Sequence, residues 1–262
     1  MIATGLSCLA QGPSSNASTD FDRYVSAVQT RIEQEHSTAP SFLAGMDPDR
    51  AARLRRGGVI VDRLTPPAGE SLPGALLHDW RGTVFVPGAT TADFEGLLRD
   101  FGDYPTEFAP QVLEARALNG PGQHLRMTMR VRQQHLIAVT LDETCDVRFG
   151  RLDTKHGWST SQSTGIEEIG ANGRPVSIGA EHGFLWRLDT WWSYEQKDGG
   201  LYVQIETVSL TRSIPAGLGW VVGPLVENIP RDSLEFTLRA ARAAVENPMK
   251  GSAGHVGKGE QQ

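Results

Sequence analysis

Cysteine is nearly absent. The 262 residues hold two, Cys8 and Cys145, neither in a C-x-x-C pair, so no disulfide framework or structural zinc site is announced and a single disulfide is all that stays open. Positive charge is in deficit: 25 Lys and Arg against 31 Asp and Glu give a net charge of -6 and a pI of 5.7, which argues against a nucleic-acid backbone as partner. No apolar run approaches the roughly 18–20 residues needed to span a bilayer as a helix. The usual catalytic signatures are missing too. There is no H-E-x-x-H, and the seven histidines, among them His78, His124, His135, His156 and His182, are scattered without paired metal spacing. No G-x-S-x-G elbow occurs, since "SQSTG" at Ser161–Gly165 lacks the first glycine. "GLGWVVG", Gly217–Gly223, has the spacing G-x-G-x-x-x-G and no second strand after it to complete a βαβ unit, so it carries no dinucleotide reading. No cofactor and no metal are expected.

What is present suffices for a globular core, with 39% hydrophobic and 21% charged residues. The N-terminal "MIATGLSCLAQG" followed by "PSSNASTD" has the look of a signal core running into a small-residue processing zone, without the basic start such a signal needs. Two expectations stand: an exported or periplasmic protein, or a cytoplasmic one with a frayed N-terminus. From Asp20, the spacing of Phe21, Val25, Val28 and Ile32 predicts an amphipathic helix capped by Ser18, Thr19 or Asp20, packed onto the main body. A turn-rich connector with a short basic helix follows, then "VIVDRL" as a strand and "TPPAGESLPG" as a loop.

Val84, Phe85 and Val86 predict the first strand of the main domain, and "ATTADFEGLLRDF" a helix burying Phe94, Leu97, Leu98 and Phe101. "QVLEARAL", "HLRMTMRVR", "QHLIAVTL" and "CDVRFGRL" alternate polar and apolar residues, as four strands of an antiparallel meander do. Arg126, Arg130 and Arg132 share a strand with Met127, Met129 and Val131. Those arginines form either a solvated face or a hold for an acidic headgroup. Asp198-Gly199 then predicts a two-residue type I′ turn, which sets Tyr194 against Val203, Trp192 against Ile205, Thr190 against Thr207 and Leu188 against Ser209. Phe184 and Trp186 extend that face. The opposite face, with Arg187, Asp189, Trp191, Ser193, Glu195, Gln204, Glu206 and Arg212, is expected to meet solvent. Pro230 suits the first turn of a last helix whose buried stripe is Leu234, Leu238, Ala241 and Val245. The tail 248–262 reads as disordered.

The segments "FEGLLRDFGDYPTEFAPQVLEARAL", "WWSYEQKDGGLYVQIETVSLTRSIPAGLGWVVGPLVENIP" and "RDSLEFTLRAARAAVE", spanning about 76 to 246, resemble the START-like superfamily, which also includes plant pollen-allergen proteins and polyketide cyclases. The resemblance is one of element order rather than of a catalytic signature. It implies an α+β helix-grip fold: a curved antiparallel sheet wrapped around a long C-terminal helix, with an extra N-terminal helix. The chain then divides into a possible truncated signal or disordered segment (1–19), an N-terminal helix and connector (20–75), the helix-grip domain (76–247) and the tail. By the same resemblance "IPAGLGWVVGPLVENIP" crosses the mouth of a cavity, with Trp220, Val221, Val222, Leu225 and Val226 as apolar cover; plain core is the alternative.

The expected ligand-binding residues are Phe184, Trp186, Leu188, Thr190, Trp192, Val203, Ile205, Thr207, Ser209, Trp220, Leu234 and Leu238, since ligand sites are largely apolar with a few placed hydroxyls. The function expected first is binding or transport of a hydrophobic, lipid-like small molecule. The alternatives are an enzyme of the polyketide cyclase or hydrolase type, for which no acid or base is singled out, and a protein-interaction module using the N-terminal helix and the Trp191 face. No particular protein partner is indicated.

Overall fold

A computed structural model describes residues 12–64, 72, 74–120, 122–134, 138–176, 183–213 and 219–247. In chain order the elements are α1 (Ser15–Glu35), a 3-10 turn (Ala39–Ser41), α2 (Pro48–Arg55), β1 (Ile60–Arg63), β2 (Ala75–Pro87), α3 (Thr91–Arg99), α4 (Tyr104–Glu107), β3 (Val112–Ala117), β4 (His124–Gln134), β5 (Ala138–Arg151), β6 (His156–Ile169), β7 (Leu185–Lys197), β8 (Gly200–Arg212) and α5 (Gly219–Glu246). The strands form one eight-stranded sheet in the order β1-β2-β8-β7-β6-β5-β4-β3, with every neighbouring pair antiparallel. The fold is α+β, an antiparallel sheet gripping its C-terminal helix. The proposed signal segment falls mostly on residues 1–11 and the disordered tail on 248–262, both outside the described residues.

The β7–β8 hairpin follows from its turn. Asp198 (φ 56°) and Gly199 (φ 78°) take the left-handed conformations that type I′ requires. Lys197 therefore faces Gly200, and Tyr194, Trp192, Thr190 and Leu188 face Val203, Ile205, Thr207 and Ser209. The expected break between "QHLIAVTL" and "CDVRFGRL" does not occur: β5 runs through Asp142–Asp146 without a turn and pairs with both β4 and β6. Residues 135–137 of the first segment lie outside the described residues.

Two layers cover the sheet. On the inner face, Leu234, Leu238 and Ala241 of α5 pack on Trp80, Val84, Trp192, Val203, Ile205 and the aromatic residues of α3 and its following turn. The helix crosses β2 at Gly82, where a Cβ would lie 2.4 Å from Leu238 Cδ1 and 3.2 Å from Leu234. A bare backbone at that point is what allows the close approach. α5 begins at Gly219, well before Pro230, so the expected crossover strap is helical over much of its length and carries Pro224 and Pro230 inside the helix. Proline disfavours a helix interior by removing one hydrogen bond and crowding the preceding turn, without forbidding it. Residues 214–218 lie outside the described residues, as do the side chains of 219–228, including Trp220, Val221, Val222, Leu225 and Val226.

The outer face corrects the sequence expectation. It does not meet solvent over α1, which lays Phe21, Val25, Val28 and Ile32 against Ala75, Leu77, Trp191, Val208 and Leu210. The helix starts at Ser15 rather than near Asp20, with the Ser14 side chain accepting from the Ala17 N–H at 3.1 Å. Trp191 is 1% exposed and Glu206 3%. The polar residues of this face are paired with the added layer. Trp191 Nε1 donates to Gln29 Oε1 at 2.5 Å, His36 Nε2 lies 2.7 Å from Ser193 Oγ, and Gln204 exchanges two hydrogen bonds with the Ala44 backbone. Burial without a charged partner pushes the His36 imidazole down to about 4.

A charge cluster fastens α1. Glu206 accepts from Arg31 and, through Oε2, from Arg81 at 2.7 and 2.9 Å, and the Tyr24 hydroxyl donates to Asp79 at 2.5 Å. Burial, with Glu206 nearby, pushes the Asp79 carboxyl up to about 7, and burial together with the Asp79 hydrogen bond pushes the Tyr24 phenol up. Two carboxylates and two guanidiniums thus compensate one another between helix and sheet, an arrangement whose members cannot be removed singly without leaving a buried charge.

Candidate functional site

Between the inner face and α5 the two layers do not meet everywhere. They leave a cavity of about 270 Å³, close to the lower end of the roughly 300–1,000 Å³ usual for small-molecule sites. Its floor is supplied by inward residues of six strands: Val112 of β3; Met127, Met129 and Val131 of β4; Leu141, Glu143, Cys145 and Val147 of β5; Ser159, Ser161 and Ile166 of β6; Leu185, Leu188, Thr190 and Trp192 of β7; and Ile205, Thr207, Ser209 and Thr211 of β8. Ile229, Pro230, Ser233, Leu234 and Thr237 of α5 line it from above, and Leu98, Phe101, Tyr104 and Phe108 close one end. Because side chains alternate across a strand, only the inward set of each strand contributes.

Of the residues expected from the sequence, Leu188, Thr190, Trp192, Ile205, Thr207, Ser209 and Leu234 lie on the cavity wall. Val203 and Leu238 are fully buried beside it in the packed core, where they hold the sheet to the helix. The Trp220 side chain lies outside the described residues. Phe184 and Trp186 are corrections. The β7–β8 register shifts between Leu185 and Arg187, so one extra residue in β7 reverses the alternation below Leu188. Leu185 therefore turns into the cavity, Trp186 packs beside α1 on the other face, and Phe184 is 44% exposed. A bulge has this consequence for every residue on its far side.

The arginines of β4 stand on the outer side. Arg130 grips Asp142 through two hydrogen bonds of 2.7 Å, Arg126 lies 3.9 Å from Asp146, and Arg132 is exposed. The reading in which one of them turns inward to hold an acidic headgroup is set aside. Among the described lining residues there is no Lys, Arg or His, and the only charged residue is Glu143.

Glu143 is the feature that sequence reasoning missed. It sits 6% exposed in the inward series Leu141, Glu143, Cys145, Val147, Phe149, between Met129 of β4 and Ile166 of β6. Its carboxyl receives a hydrogen bond from the Cys145 thiol, and no cation offsets its charge. Burial, with a smaller contribution from Asp189, pushes it up to about 7. Burial also pushes the Cys145 thiol up, as does the neighbouring Glu143 charge, so Cys145 holds its proton and is not an activated nucleophile. The available signal was a lone acid in an otherwise apolar alternation; it was hidden by placing a strand break beside it. Among the described residues no group of three or more His, Cys, Asp or Glu is arranged to hold a metal ion, and no helix is long and apolar enough to cross a membrane.

No protein-family model and no curated protein matches the chain. Solved structures do. A STAR-related lipid transfer protein fragment from Xanthomonas axonopodis is 15% identical with a TM-score of 0.45, over 71% of this chain and 98% of its own. A START superfamily protein from Mycobacterium smegmatis is 14% identical with a TM-score of 0.46, over 65% and 98%. An aromatase/cyclase from Streptomyces sp. R1128 is 14% identical with a TM-score of 0.44, over 68% and 99%. At the level of fold, the chain is similar to solved structures of the START superfamily.

Proposed function

We propose that the protein binds and carries a hydrophobic small molecule in the cavity between the sheet and α5. The observation that carries this reading is the cavity itself: a mainly apolar wall drawn from six strands and a helix, with Ser159, Ser161, Thr190, Thr207 and Ser209 as spaced hydroxyls. A wall of that composition binds by shape and apolar area, with a few polar groups fixing orientation. The test is native mass spectrometry of the protein purified from cells, then organic extraction and identification of what leaves it. A stoichiometric apolar ligand is expected, and Thr190→Phe, which fills the cavity from β7, is expected to abolish it while leaving the fold intact. A protein that is empty as purified and refuses a panel of lipids refutes the reading.

A second reading, an enzyme acting on the bound molecule, is favoured by Glu143 alone. A buried carboxyl pushed up to about 7 is suited to giving and taking a proton near neutral pH. Turnover of an extracted ligand by the wild type and not by Glu143→Gln would select it. The apolar face of α1 and the Trp191 face pack against each other, so a protein-interaction reading would have to use the surfaces these leave open.

A further inference from the structure

The cavity has one charge and nothing among the described residues to pair it with. Glu143 is more than nine-tenths buried and lines the cavity floor. The residues across from it on the neighbouring strands, Met129 and Ile166, are apolar. The described residues of α5 that line the same space, such as Ser233 and Thr237, are uncharged. The electrostatic neighbours it does have are the Cys145 thiol on its own strand and Asp189 on β7, a second acid. Buried charges are ordinarily paired within the protein, and the buried carboxylate Glu206 on the outer face of this same sheet has two arginines. Glu143 has none.

Resting on the carrier reading above, we propose that the ligand is an apolar body bearing one basic amine, and that Glu143 is the group that anchors it. The hydroxyls of the wall both donate and accept, so they do not discriminate among neutral ligands; discrimination by charge falls to Glu143. A carboxylate or phosphate ligand would meet Glu143 with no compensating cation among the described lining residues. A neutral ligand would leave Glu143 as a lone buried acid. A protonated amine supplies the missing counter-ion and forms a charge-assisted hydrogen bond. On binding, Glu143 gives up its proton to solvent and the ammonium group takes its place.

The probes are decylamine, decanol and decanoate, which share one chain and differ in head. They are titrated into the full-length protein at neutral pH and followed by tryptophan fluorescence, since Trp192 is on the cavity wall. Decylamine is expected to bind at least about tenfold more tightly than decanol, the order of one charge-assisted hydrogen bond, with decanoate weakest. In Glu143→Gln the preference for the amine over the alcohol should vanish while decanol affinity persists. Wild-type calorimetry in two buffers of different ionisation enthalpy gives a check that needs no variant: decylamine binding should release protons and decanol binding should not. Decanol binding without an amine preference, a preference that survives Glu143→Gln, or equal proton release by the two ligands overturns this inference and leaves the carrier reading standing. Failure of all three probes to bind the wild type overturns both.

Discussion

Replacing Glu143 by Gln should make the protein more stable, and increasingly so as the pH rises. The side chain is nearly isosteric, keeps a hydrogen-bonding group beside Cys145, and removes the ionisation. Burial raises the carboxyl from its ordinary 4.5 to about 7. The folded state therefore holds this proton more tightly than the unfolded state does. Below the ordinary carboxylate range both states are protonated and the acid costs nothing. Through the window from 4.5 to 7 the unfolded chain ionises freely while the folded one resists, so stability falls with rising pH; above 7 the whole cost is present. A shift of that size at about 1.4 kcal/mol per unit amounts to about 3 kcal/mol. Urea unfolding of both proteins at a series of pH values should give a difference near zero at about pH 4 that grows to about 3 kcal/mol in favour of the variant at about pH 8. Asp79 and Asp189 are also pushed up by burial, to about 7 and about 6, so the wild-type profile alone is a composite; subtracting the variant isolates Glu143. A difference that stays flat from pH 5 to pH 8 would refute the placement of an unpaired acid in the cavity.

Two further outcomes follow from the packing on either side of the sheet. Gly82→Val places methyl groups where Leu238 and Leu234 now sit against the β2 backbone, and should cost about 2 kcal/mol by forcing α5 outward, measured as a fall in urea midpoint. Arg81→Met leaves the buried Glu206 with Arg31 as its remaining guanidinium; a loss of about 3 kcal/mol is expected, and a neutral result would show that Arg31 satisfies Glu206 unaided.

Local chemistry determined a good deal without help from the fold. Asp198-Gly199 selects a turn, the turn selects the register, and the β7–β8 pairs from Leu188–Ser209 to Lys197–Gly200 follow. The spacing of Phe21, Val25, Val28 and Ile32 marks a helix with one buried face. The order of strands and helices, with an amphipathic helix read at each end, pointed to the two ends of the chain as cover for the sheet. Only the tertiary structure decided the rest. Polar residues such as Glu206, Gln204 and Asp189 look solvent-facing because a hydropathy pattern does not separate a face in water from one pressed against complementary polar groups; α1 made it the latter. The reversal at Trp186 depends on one extra residue in one strand, a property of the pairing and not of either strand alone. Glu143 is unremarkable in "LDETCDV" until the strands and α5 bury it, because the cost of an unpaired charge exists only where water has been removed.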